Sequence, residues 1–325
     1  MQYRKMGKWG VKLSTIGLGS YLTIGFKLDE AASRATVLKA YEGGVNFFDT
    51  ADAYNNGEAE RVLGAILSEL PRHTLFILTK CFAPITKDIN DQKLSAKHMF
   101  EACHNSLKRL RTDYLDVFMC HRPDPDTPLE ETIRALEDLA RQGKILYWGV
   151  SEWPAHLMAR ANGVAREIGA RPIGVNEPRY NLLYRYPERN LFPATQAEGI
   201  GNVVFSSLAH GMLTGKYKPG EEAPSGTRAA DVETNAVINK LYWSEENKRR
   251  GQELSRLASV MGVTAAQLAI AWCLRNPAVT SVITGATRVS QVEDNLKAAE
   301  LVIPDDVVRN IEELYPPVER VEVEK

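Results

Sequence analysis

The sequence predicts an α/β fold in which eight strands, each followed by helix, close into a (β/α)8 barrel. Three observations carry this. Short apolar, β-branched or aromatic runs recur at residues 15–18, 45–48, 75–78, 115–119, 145–149, 173–176, 202–205 and 279–283. Most lack the polar alternation of a half-wet strand, which suits strands buried on both faces of a parallel sheet. Amphipathic stretches separate them, so strand and helix alternate along the chain. Eight such units favour a TIM barrel. An open, doubly wound sheet is the alternative that periodicity leaves standing.

The elements have local causes. Helices are expected over 29–42, 58–70, 95–110, 128–142, 154–168, 191–198 and 291–298. Asp29 and Ser95 carry short oxygen-bearing side chains suited to capping an N-terminus. Gly43, Gly143 and Gly169 suit helix stops, and Pro71 cannot continue the helix before it. Residues 1–14 read as a short hairpin that closes the bottom of the barrel. The Gly-, Pro- and Ser-rich stretch 207–239 reads as a long loop, and such loops in compact domains are usually functional or disordered. Helices are expected at 245–261 and 264–275 before the last strand and at 305–314 after it, with 318–325 as a loose tail. With no linker and no internal repeat, residues 1–325 are expected to form one domain, although a length of 325 at about 150 residues per domain would suggest two.

Composition narrows the function classes. Hydrophobic residues make up 44% and charged residues 25%, near the averages for a soluble globular chain. Forty Lys+Arg against 41 Asp+Glu gives a net charge of −1, which offers no support for nucleic-acid binding. Cys81, Cys103, Cys120 and Cys273 are scattered without a C-x-x-C pair, so no disulfide framework is expected. No apolar run opens the chain, and none approaches the ~20 residues of a membrane span. A reduced, cytoplasmic protein without membrane insertion is the expectation. The six histidines lack the spacing of a metal site, so no metal is expected.

In a (β/α)8 barrel the chemistry lies at the carboxyl ends of the strands. Three consecutive strand candidates end on ionisable residues: Asp49, Lys80 and His121. Tyr54 follows Asp49 in the same loop and could lean back over them. A polar residue at a strand end is often only where the chain meets water, but three on adjacent strands converge on one mouth. A tyrosine has an unperturbed pKa of about 10 and donates a proton poorly at neutral pH. An ammonium beside it is expected to lower that pKa, and a carboxylate holds the ammonium in place. With a histidine to orient a substrate oxygen, the cluster could protonate a carbonyl as hydride reaches its carbon. A barrel hydrolase using Asp49 and His121 is a weaker alternative.

The run Phe48-Asp49-Thr50-Ala51-Asp52-Ala53-Tyr54 resembles the signature of the aldo-keto reductases. It is joined, in the family's order, by Leu78-Thr79-Lys80, Tyr114-Leu115-Asp116-Val117, His121-Arg122-Pro123-Asp124 and Gly149-Val150-Ser151. Arg122-Pro123-Asp124-Pro125 and Tyr147-Trp148-Gly149 resemble the voltage-gated potassium channel β-subunit branch in particular. The resemblance implies NADPH-dependent reduction of aldehydes or ketones, with Tyr54 as general acid, Lys80 as its modulator, Asp49 as the ion-pair partner and His121 as substrate orienter. Members of the channel branch often carry Asn at the His121 position. A cofactor-binding regulatory subunit with little turnover is the second reading, and the branch also implies a possible homo-oligomer, a tetramer.

No Rossmann fingerprint is present: Gly17-Leu18-Gly19 lacks the third glycine and reads instead as a tight turn at the barrel mouth. Barrels hold phosphates with loops after the last strands, where Ser206-Ser207-Leu208 and Gly285-Ala286-Thr287-Arg288 lie. Plain turn chemistry would explain them equally. The resemblance instead implies NADP(H) contacts from Ser20, Tyr21, Asp49, Phe205, Ser206, Leu208, His210, Lys216, Arg228, Gly285, Thr287, Arg288, Gln291 and Asn295, with Phe205 stacking on the nicotinamide and Arg288 on a 2′-phosphate. Where the family commonly places Ser-Asn and then Gln around the carboxamide, this chain has Ser151-Glu152 and Glu177. Glu177 is expected to tune cofactor binding. Tyr21, Phe82, Trp153 and the 207–239 loop are expected to wall the substrate pocket, with plain packing an equal reading of the aromatics.

Overall fold

The computed structural model describes residues 1–317. A hairpin comes first: β1 (Tyr3–Lys5) pairs antiparallel with β2 (Lys12–Ser14), Tyr3 opposite Ser14. Eight parallel strands then form a closed barrel: β3 (Ile16–Gly19), β4 (Phe47–Asp49), β5 (Phe76–Cys81), β6 (Leu115–Cys120), β7 (Ile145–Ser151), β8 (Val175–Glu177), β9 (Gly201–Val204) and β10 (Val279–Thr284). Neighbours in space follow chain order, and β10 closes the ring on β3 with Val282 opposite Ile16. All eight expected strands are present. The barrel is closed, so the open-sheet alternative does not apply.

The helices are α1 (Glu30–Glu42), α2 (Glu58–Leu67), α3 (Ala96–Leu110), α4 (Leu129–Arg141), α5 (Ala155–Glu167), α6 (Tyr186–Arg189), α7 (Leu191–Glu198), α8 (Ala236–Leu241), α9 (Glu245–Val260), α10 (Ala265–Arg275), α11 (Val289–Lys297) and α12 (Asp305–Leu314). Asp29 Oδ1 accepts from the Ala32 N–H at 2.7 Å, and Ser95 Oγ from that of His98 at 3.3 Å, so both expected caps form. Gly143 and Gly169 take left-handed φ values of 71° and 67° just after α4 and α5, a conformation that costs glycine no steric penalty. Thr264 and Gln267 form a reciprocal capping box on α10. The expected second helix is shorter than 58–70, because residues 68–70 tighten into turns ahead of Pro71. The stretch 207–239 is not wholly irregular: a 3-10 segment, Ala209–Thr214, opens it, and α8 begins within its end. The last eight residues, 318–325, lie outside the described residues.

The hairpin plugs the barrel's N-terminal end. Met6 and Leu13 are fully buried and pack on inward side chains that include Phe47, Phe76, Val117 and Val203. The Lys8 N–H donates to Gly199 O at 2.9 Å, and Arg4 donates to the carbonyls of Leu274 and Val279, which ties the plug to the last barrel units. The opposite, C-terminal end is thereby left as the mouth. Gly17 and Gly19 are not a turn, contrary to the expectation; they are strand residues of β3. A Cβ on Gly17 would sit 2.4 Å from the Phe47 ring, and one on Gly19 would sit 2.6 Å from Ile283 Cγ2. Their value is close approach inside the barrel, beside the Asp49 carboxylate.

Candidate active site

Asp49, Lys80 and His121 lie on or just after the carboxyl ends of β4, β5 and β6, three neighbouring strands. Side chains of a parallel barrel alternate between lumen and helix layer, so same-phase residues on adjacent strands meet at one level. Lys80 is fully buried. Its ammonium donates to Asp49 Oδ1 and, at 3.0 Å, to the carbonyl oxygen of Thr50. Glu177, at the end of β8, brings Oε2 to 3.3 Å from the same nitrogen. One ammonium thus serves two buried carboxyl groups. Burial disfavours the ammonium, but Asp49 and Glu177 outweigh it and hold the Lys80 pKa above its ordinary value.

Tyr54 leans back over this centre, as expected from its loop. Lys80 Nζ lies 5.3 Å from the Tyr54 ring centre, and the His121 ring stands edge-on to it at 5.7 Å. Tyr21 flanks Tyr54 on its other side, with ring centres 5.0 Å apart. The expected lowering of the Tyr54 pKa does not hold in this pocket. Burial raises it, and Lys80 offsets that only in part because Asp49 and Glu177 add negative charge nearby. His121 is held well below its usual pKa by burial, then by Lys80 and Arg122, so its ring is neutral at pH 7. The Arg122 guanidinium donates to His121 O at 2.5 Å and to Ser151 Oγ at 3.2 Å.

Around the rim, the Ser151 hydroxyl donates to Glu177 O at 3.0 Å. Glu152 has a left-handed φ of 56° and accepts from the Arg179 N–H at 2.7 Å. Ser20 donates to the Thr50 hydroxyl at 2.9 Å. Beyond β9, Phe205 leads into Ser206, whose Oγ lies 3.2 Å from His210 Nε2, and Leu208 precedes the buried 3-10 segment. Arg228 reaches His210 from within the long loop, and Lys216 stands beside Gly211. After β10, Gly285, Thr287 and Arg288 are exposed ahead of α11. Gln291 Oε1 accepts from both the N–H and the hydroxyl of Thr287, and Asn295 is buried on the same helix. The long loop and the start of α11 therefore flank one side of the mouth. Trp153 is buried at 3% exposure in the outer core, and Phe82 packs against that same core, the packing reading of these two aromatics.

Three residues near the site were not singled out from sequence. Arg179 stacks its guanidinium 3.8 Å over the Tyr184 ring and adds positive charge at His210. Its available signal was that of a charged residue just past a strand end, two positions after Glu177. Arg122 was read only as part of a motif. Asp52, fully buried inside the signature run, has no hydrogen-bond partner for either carboxyl oxygen. Nothing in the sequence separates it from a solvated loop acid. Among the described residues no cluster of three or more His, Cys, Asp or Glu could hold a metal ion, and no single helix is long and apolar enough to cross a membrane.

The sequence profile of the aldo/keto reductase family matches residues 15–316. The chain belongs to the aldo/keto reductase family. It is 42% identical over 309 residues to a probable voltage-gated potassium channel subunit beta of Arabidopsis thaliana, covering 93% of this chain and 92% of that one. It is 39% identical over 317 residues to a protein of the same description from Oryza sativa subsp. japonica, covering 96% of each. A putative voltage-gated potassium channel subunit beta of Schizosaccharomyces pombe is 38% identical over 328 aligned positions, 98% of this chain and 94% of that one. The expected family and branch resemblance is thus borne out along nearly the whole chain.

Proposed function

We propose that this aldo/keto reductase reduces aldehydes and ketones to alcohols with NADPH. The observation that carries the reading is the buried Lys80 ammonium between Asp49 and Glu177, with Tyr54 and His121 closing over it. The bound cofactor supplies a hydride to the carbonyl carbon. The chain supplies the rest. Tyr54 gives its phenolic proton to the carbonyl oxygen, and the fixed ammonium of Lys80 stabilises the phenolate left behind. The carbonyl dipole, not a pre-lowered phenol pKa, draws that proton, since burial holds the Tyr54 pKa up before substrate enters. Neutral His121 donates a hydrogen bond that orients the substrate oxygen without competing for the proton.

The residues present suit a cofactor with several phosphate charges. Lys216, Arg228 and Arg288 gather on one side of the mouth, and no carboxylate pairs with any of them among the described residues. Local desolvation and the two guanidiniums depress the Lys216 pKa, a strain an anion would relieve. The N-terminus of α11, nine residues long, adds free N–H groups beside Thr287 and Arg288. Phe205 would stack on the nicotinamide, Ser151, Glu152 and Glu177 would face its carboxamide, and Arg288 would take the 2′-phosphate. Four buried, unpaired cysteines suit a reducing, cytoplasmic setting.

A second reading is favoured by the names of the relatives: a cofactor-binding regulatory subunit with little turnover. NADPH oxidation with a panel of aromatic aldehydes separates the two. The reductase reading expects turnover that Tyr54→Phe reduces about 10²–10⁴-fold while cofactor affinity is kept. Equal rates in the two proteins would remove Tyr54 from the chemistry. Tight NADPH binding without turnover would favour the regulatory reading.

A further inference from the structure

Lys80 meets its two carboxyl partners unequally. Asp49 Oδ1 accepts a hydrogen bond from the ammonium, whereas Glu177 Oε2 stands at 3.3 Å with no hydrogen-bond partner, although it is buried. A carboxylate left without donors in a dry pocket costs far more when ionised than when protonated. With both carboxyls ionised, the centre would carry two negative charges against one positive, out of contact with water. One proton therefore resides on the pair, and Asp49, which has the ammonium's hydrogen bond, is the better anion. That leaves the proton on Glu177.

We propose that Glu177 is a proton-holding positioning residue: its acid form returns to Lys80 the proton that the ammonium gives to the Tyr54 phenolate. The proposal rests on the reductase reading above. Each reduction consumes one proton besides the hydride. That proton passes from Tyr54 Oη to the substrate oxygen. Tyr54 Oη takes one from Lys80 Nζ, Lys80 Nζ takes one from the Glu177 carboxyl, and Glu177 takes one from water between turnovers. Each transfer breaks one O–H or N–H bond and forms another, and no electrons are exchanged. A glutamine at this position could not take part, since an amide has no acidic proton to give.

The groups around Glu177 agree with this role. Asp49 and Tyr54 approach from β4 and its loop, and Lys80 from β5. His121 and Arg122 follow β6, Ser151 and Glu152 end β7, and Arg179 follows Glu177 itself. Burial, then the Asp49 charge, pushes the Glu177 pKa up to about 8, against the pull of Lys80 and Arg122. At neutral pH Glu177 is thus an acid, poised near the pH at which water can refill it.

The test compares wild type with Glu177→Gln, kcat being measured with NADPH and an aromatic aldehyde from about pH 6 to about pH 10. Tyr54→Phe is the control. Infrared difference spectra of the cofactor-free protein, titrated over the same range, are the second readout. At neutral pH the variant is expected to be about tenfold slower. Above pH about 8 the wild-type kcat should fall until the two curves meet. The wild type should show a protonated-carboxyl C=O band that titrates with a midpoint near pH 8 and is missing from the variant. A constant ratio of rates at every pH would indicate a structural role and overturn the proposal, as would identical rates or a wild type without the band. If Tyr54→Phe turns over as wild type does, Tyr54 leaves the relay and the proposal is overturned; if neither protein turns over, the reductase reading fails instead, and the infrared titration still decides where the proton sits.

Discussion

Arg228 places a guanidinium nitrogen 3.0 Å from Nδ1 of His210, whose other ring nitrogen lies 3.2 Å from Ser206 Oγ. A guanidinium has no acceptor, so Nδ1 must present its lone pair and Nε2 must carry the hydrogen toward Ser206. The contact fixes one neutral tautomer. Burial, then Arg228 and Arg179, pushes the His210 pKa down from 6.5 to about 4. The unfolded chain therefore binds more protons than the folded one between these values. The stability His210 contributes is complete above pH 6.5 and is lost as pH falls through about 4. Replacing it, His210→Gln, should flatten the decline of melting temperature across that window. The effect should be on the order of 2 kcal/mol once solvent screening is allowed for. Calorimetry from neutral to acidic pH checks this, and parallel curves for the two proteins would rule it out.

The cationic side of the mouth yields a prediction with opposite signs for stability and binding. Lys216 is solvent-exposed beside Arg228 and Arg288, and local desolvation, then these two guanidiniums, depress its pKa. Removing it in Lys216→Met relieves repulsion in the free protein, so the melting temperature without cofactor should hold or rise. NADPH affinity should fall at least about tenfold, the loss expected of one charge-assisted contact. Arg288→Gln should weaken NADPH far more than NADH if the guanidinium meets the 2′-phosphate. Titrations by fluorescence with both cofactors decide the matter. An equal loss for NADPH and NADH would take Arg288 away from that phosphate.

The barrel was legible because its strands are buried on both faces and so appear as largely apolar runs, such as 75–78 ahead of Lys80. Asp49, Lys80 and His121 were legible because they occupy a positional class, an ionisable residue just past the end of a strand run. What sequence position does not carry is the balance of competing fields at a point. The lysine beside Tyr54 was expected to lower its pKa, but two carboxyls, one of them contributed by β8, share that ammonium and burial prevails. The glycines of 17–19 were misread for a related reason. Their need for glycine comes from Phe47 and Ile283, residues distant in the chain that crowd the barrel interior. Trp153 follows a strand end like the catalytic groups do, yet it is buried in the hydrophobic core that strands and helices share.

Asp52 shows the same limit in a form that stability measurements can read. Its N–H donates to Lys80 O at 3.0 Å, anchoring the signature loop to β5 through the backbone alone. Its carboxyl oxygens are buried without a hydrogen-bond partner. The neighbouring acid Glu60 is already held by Arg109 at 2.6 Å and by the Thr79 hydroxyl at 2.5 Å. Burial, then the Glu60 charge, raises the Asp52 pKa well above 3.8, and Arg109 opposes this without reversing it. A group whose folded pKa is raised stabilises the fold below its unfolded pKa, and that contribution is lost as pH rises toward the folded value. Near neutral pH and above, the wild type therefore carries a cost that the isosteric amide of Asp52→Asn avoids. The variant should be more stable than wild type by about 1–3 kcal/mol at alkaline pH, with the gap closing near pH 4. Because the contact to Lys80 uses the backbone, kcat should change little. Denaturant melts at acidic and alkaline pH check the sign. A variant less stable than wild type at alkaline pH would mean that Asp52 is ionised and held by a partner.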